Sequence, residues 1–167
     1  MARPGLNRYN HIVANKSNFT ADEWDLFRNV PFFTTLVVMS ASPSGPIGVI
    51  QESAAASEML RTGLDNTQSE LMKVLAEDLR QNLTVHKLQS RDPDEIRAKG
   101  LAACRAVATL LREKANPEEA VEFKCWLTSL ARKVAEAAKE GGFLGFGGTQ
   151  VTEAESSAID QIEIALR

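Results

Sequence analysis

Two cysteines, two histidines and one tyrosine are all that this 167-residue chain holds of those residue types, and each scarcity narrows the chemistry open to it. Cys104 and Cys125 stand in no Cys-x-x-Cys spacing. They read as buried free thiols in a reducing compartment, with a metal or redox pair as the minor alternative. His11 and His86 fall in neither Glu-x-x-His nor His-Glu-x-x-His spacing. A ferritin-like di-iron centre needs such ligands on facing helices. Charge is equally uninformative as an attractant. The net charge is −3, and no stretch concentrates lysine and arginine, so phosphate backbones and anionic lipid surfaces gain no general pull. The longest apolar run, Val30 to Met39, is broken by threonines and too short to span a bilayer. Met1-Ala2-Arg3-Pro4 is not followed by the apolar core of a secretory signal. The expectation is a cytoplasmic protein with no stable membrane insertion, no nucleic-acid partner and no cofactor.

What the chain has is helix-forming pattern. Hydrophobic residues make up 44% but aromatics only 6%, so alanine carries much of the apolar content and favours closely packed helices over a sheet. No segment alternates with the period of two that marks a half-buried strand. The spacing predicts an all-α, single-domain bundle of six to seven helices over residues 19–167, preceded by a flexible tail over residues 1–18. Thr20 to Glu23 reads as a capping box, with Phe19 stapled to Trp24. Pro31 is expected to end or kink that first helix and to start a second, through Phe32, Phe33, Leu36, Val37 and Met39. A third helix is expected over Val49–Arg61. A fourth opens at Asp65 and Gln68, with Leu71, Val74, Leu75, Leu79 and Leu83 on its apolar face. Asp92-Pro93 and Asn116-Pro117 each place a cap before an N1 proline. The helices they open carry Ile96, Ala103, Val107, Leu110 and Leu111, then Phe123, Leu127, Leu130, Ala131 and Val134. A last helix runs from the Thr152 cap through Ile159, Ile162 and Leu166.

Half of the ten glycines fall in Gly141-Gly142-Phe143-Leu144-Gly145-Phe146-Gly147-Gly148. Glycine allows the chain to turn sharply, and large apolar side chains in a turn need a dry place. Gly45-Pro46-Ile47-Gly48-Val49 is a shorter echo, so the bundle is expected to contain two related helical hairpins whose elbows tuck in apolar wedges. Phe143, Leu144, Phe146, Ile47 and Val49 are therefore the candidate interaction residues. Their side chains either close over the domain's own core or project as an anchor for a protein partner. The small-residue face Ser53 to Ser57 is a second candidate, suited to close approach in a homo-oligomer. A phosphate loop is not supported, since the turn lacks the lysine and the preceding strand that such loops use. Glu153 and Glu155 would also repel an anion at the next helix start.

The segments Phe19 to Trp24, Pro43 to Gly48 and Glu140 to Glu155 resemble an uncharacterised family of bacterial all-helical proteins. More remotely, Glu140-Gly141 followed by Thr152-Glu153-Ala154-Glu155 is similar to the turn of tellurite-resistance B-like domains, in which Asp-Gly precedes Ser-x-x-Glu. The first likeness implies a helical fold and no known activity. The second implies a metal-binding or stress-response domain, for which Glu140, Glu153 and Glu155 are the weak candidate ligands. The acids at Asp22, Glu23, Asp25, Glu118, Glu119, Glu153 and Glu155 all sit where first helical turns are expected, so capping accounts for them. No nucleophile and base are visibly paired. The reading is a non-enzymatic interaction or accessory protein.

Overall fold

A computed structural model describes residues 14–41, 64, 67–81, 92–140 and 151–167. Among these residues there are five α-helices and no strand: α1 Ala21–Ala41, α2 Glu70–Gln81, α3 Pro93–Lys114, α4 Pro117–Glu140 and α5 Glu153–Ala165. A short 3-10 turn, Lys16–Asn18, precedes α1. The all-α expectation holds. The helix expected over Val49–Arg61, the loop Thr84 to Arg91 and both glycine elbows lie outside the described residues.

Each helix begins where side chains supply the acceptors that its first amide groups lack. Thr20 and Glu23 form the expected reciprocal box, with Thr20 N–H donating to Glu23 Oε2 at 2.7 Å and Glu23 N–H to Thr20 Oγ1 at 3.3 Å. Asn116 and Glu119 do the same for α4, at 3.2 and 2.9 Å. Thr152 and Glu155 do so for α5. Asp92 caps α3 by accepting from Asp94 N–H at 3.0 Å, with Pro93 as its first residue. For α2 the cap is Ser69, which accepts from Met72 N–H at 3.3 Å, four positions beyond the Asp65 expected from sequence.

Helix α1 is the central element. It packs against every other helix and most closely against α3. That position explains the clearest departure from the sequence pattern: residues 21–41 form one helix, with Pro31 inside it, rather than two. Proline removes one backbone donor and crowds the preceding turn. Here, however, buried residues on both sides of it (Phe27, Val30, Thr34, Val37 and Val38) contact the core, so ending the helix would expose one half. Three polar side chains nearby bond carbonyls one turn back: Asn29 to Asp25, Thr34 to Val30 and Thr35 to Pro31, at 2.7 to 3.0 Å.

The two halves of α1 are packed by different means. Near its start, Phe27 meets Phe19 edge-on at 4.8 Å between ring centroids and Phe123 of α4 at 5.2 Å. Trp24 and Trp126 extend this aromatic cluster on either side. Near its end, α1 crosses α3 at Gly100. A methyl group there would overlap Val37 Cγ2 and sit 3.1 Å from the Phe33 carbonyl oxygen. Glycine is required for that approach, with Ala103, Cys104 and Ala108 continuing the small buried face of α3.

Candidate functional site

The densest polar arrangement joins residues that the sequence scatters over sixty positions. Leu71, Leu75 and Asp78 lie on the buried face of α2, so a carboxylate occupies a core-facing position. Asp78 Oδ1 accepts from Lys16 Nζ at 2.8 Å, and Oδ2 accepts from Trp24 Nε1 at 3.0 Å. Arg28 Nε stands 3.0 Å from Oδ2. Lys16 Nζ also lies 5.7 Å from the Trp24 ring centroid, within cation–π range. Burial by itself would push the Asp78 carboxyl upward. The hydrogen bonds from Lys16 and Trp24, and the charges of Lys16 and Arg28, outweigh it and hold the group below the ordinary aspartate range. A carboxylate held this way is a poor proton acceptor. Its work is to tie three segments together.

A second carboxylate acts across helices. Glu122 of α4 accepts from Gln68 N–H at 2.7 Å, Ser69 N–H at 2.9 Å and Thr67 Oγ1 at 2.9 Å, so it binds the entrance of α2 from outside. Burial raises the Glu122 carboxyl, but hydrogen bonds from Ser69, Gln68 and Thr67 bring it below the usual glutamate range. Glu119, only 2% exposed, takes the Ala14 amide at 3.1 Å through the same Oε2 that serves its own capping box. Lys114 Nζ pairs with Glu23 and lies 5.7 Å from the Phe19 ring centroid. Residues 14–19 thus form a strap over α1, α2 and α4, with Ala14 and Phe19 buried and Asn15 to Asn18 exposed.

The remaining groups are less organised. Cys104 is buried with Thr34 Oγ1 at 3.6 Å from its sulfur, and burial pushes its thiol up, which disfavours the nucleophilic thiolate. Cys125, expected to be buried, is exposed: it sits on the α4 face opposite Phe123 and Leu127, where the helical period turns it outward.

Of the residues proposed from sequence, Phe143, Leu144, Phe146, Ile47 and Val49, and the side chain of Glu140, lie outside the described residues. Glu153 is exposed in the first turn of α5, whereas Glu155 is turned inward, 3% exposed, with Oε2 taking the amide and hydroxyl of Thr152 at 2.9 Å each. Among the described residues no three His, Cys, Asp or Glu side chains are grouped to hold a metal ion, and no helix is long and apolar enough to cross a membrane. The chain matches no family model, no curated protein and no solved structure.

Sequence reading missed Asp78, Glu122 and Lys16. A signal existed only for Asp78, which falls three residues after Leu75 on the α2 apolar stripe. Lys16 and Glu122 carry none, because their partners are distant in sequence.

Proposed function

We propose that this protein is a non-enzymatic accessory module of the cytoplasm that works by contact with other proteins or with further copies of itself. One observation carries this reading: the carboxylates Asp78, Glu119, Glu122 and Glu155 each accept hydrogen bonds that fix helix ends or the N-terminal strap. Groups held in this way rigidify a scaffold and offer little to a substrate. Enzymes more often hold such acids with perturbed, proton-ready character in a cleft. Affinity capture of the tagged full-length chain, combined with light scattering, is the test. A stoichiometric partner or a concentration-dependent oligomer is expected. A strict monomer that retains no partner would overturn the reading.

The rival reading, a metal-binding domain of tellurite-resistance type, draws on the resemblance around Glu140 to Glu155. The commitment of Glu155 to its capping box weighs against it. Calcium, magnesium and zinc are each expected to leave the melting temperature unchanged, and a saturable rise with any of them would restore the metal reading.

A further inference from the structure

The outer face of α4 carries an ordered ridge. Glu118, Val121, Cys125, Ser129, Arg132 and Glu136 are all exposed and follow one another at spacings of three or four residues, so they form a single line along the helix. Val121 and Ile164 are the two large hydrophobic residues most exposed among the described residues, each at 61%. Two contacts set α5 against α4. Lys124 Nζ reaches the Arg167 carbonyl at 3.5 Å, and Arg132 pairs with Glu163 at 2.7 Å. Helices α4 and α5 therefore run antiparallel, and Ile164 lies alongside the stretch of α4 between Lys124 and Arg132.

The ridge is self-complementary about Cys125. Two copies of α4 laid antiparallel across a two-fold axis at that residue bring Val121 against Ser129 of the other copy, and Glu118 against its Arg132. Both charge pairs form at once, because a two-fold interface repeats every contact. Arg132 already holds Glu163, and a guanidinium has donors enough for a second carboxylate. We propose that this α4 ridge is a homodimer interface, with a second copy of this chain as its occupant. The inference deepens the interaction-module reading and rests on it.

Packed helices lie about 8–10 Å apart with Cα atoms about 2.3 Å from each axis, which leaves facing Cα atoms about 3.5–5.5 Å apart. The two Cys125 residues are therefore within reach of a short bismaleimide. Cys104 is buried and should not react. The full-length protein should give a crosslinked dimer that is lost in Cys125→Ser, while sedimentation still shows that variant self-associating.

Charge exchange is the sharper arm. Glu118→Arg alone sets Arg against Arg, and Arg132→Glu alone sets Glu against Glu, so each should weaken self-association roughly tenfold. Mixing the two variants restores both opposite-charge pairs and should recover the dimer as a heterodimer. Three results would overturn the proposal: a monomer at all concentrations, a dimer indifferent to both substitutions, or a mixture no tighter than its components. An indifferent dimer would leave the interaction-module reading standing and remove only this surface. A strict monomer that also retains no partner would remove both.

Discussion

The two ends of α1 solve the same packing problem in opposite ways. At the first end, Phe19, Trp24, Phe27, Phe123 and Trp126 fill the space between strap, α1 and α4, and charged clasps close over them. At the other, the backbones of α1 and α3 approach until Gly100 leaves no room for a methyl group. The aromatic end gains stability from buried area and tolerates distance. The glycine crossing gains it from proximity and tolerates nothing added. Removing atoms should therefore hurt the first most, and adding atoms the second.

The largest effect is expected at the aromatic centre. Phe27→Ala removes a side chain with no exposure that three rings and the core surround, and should cost about 3–5 kcal/mol in denaturant unfolding. A cost near that of a surface alanine would dissolve the contrast. Next, Asp78→Ala leaves the Trp24 N–H without its acceptor and should cost about 2–3 kcal/mol. Its signature is also in pH. Because the folded Asp78 carboxyl sits below its unfolded value, its contribution is complete above the ordinary carboxylate range and is lost as pH falls through the lower folded value. Asp78→Asn should thus flatten the acid limb of stability below about pH 4, and an unchanged limb would refute the assignment.

At the other end, Gly100→Ala should destabilise by about 1–2 kcal/mol even though alanine favours helix by about 1 kcal/mol. Val37→Ala in the same chain should recover part of that loss, since Val37 Cγ2 is the atom in the way. No recovery would mean that the Phe33 carbonyl sets the limit instead. The smallest effect belongs to Glu122→Gln. It keeps one acceptor oxygen but loses the charge at the α2 entrance, for about 0.5–1 kcal/mol, and amide exchange at Gln68 and Ser69 should rise selectively.

These two ends also differ in how far the sequence discloses them. Local signals are legible. The Thr20, Asp92, Asn116 and Thr152 caps are set by residues within one turn, and the α4 stripe Phe123, Leu127, Leu130, Ala131 and Val134 is buried throughout. Pro31 misleads because local chemistry favours a break there, and only the burial of α1 on several sides overrides it. Gly100 gave no cue of its own, since a lone glycine in a helical pattern does not reveal what backbone it meets. Asp78 with Lys16, and Glu122 with Ser69, are invisible for the same reason: each pair is created by the tertiary fold. The exposure of Cys125 could have been read from its phase against Phe123 and Leu127, and the α4 ridge follows from that phase.

The strap has one consequence for how the protein is made. The Ala14 amide bonds to a carboxylate 105 positions later in the chain. On a ribosome adding about 5–20 residues per second, that carboxylate arrives roughly 5–20 s after the amide. For most of that interval Phe19, Trp24 and Phe27 already exist without the Phe123 ring they will pack against. The newborn chain therefore presents its greasiest segment first and covers it late, which makes the opening stretch of the domain the natural client for a chaperone waiting at the tunnel mouth.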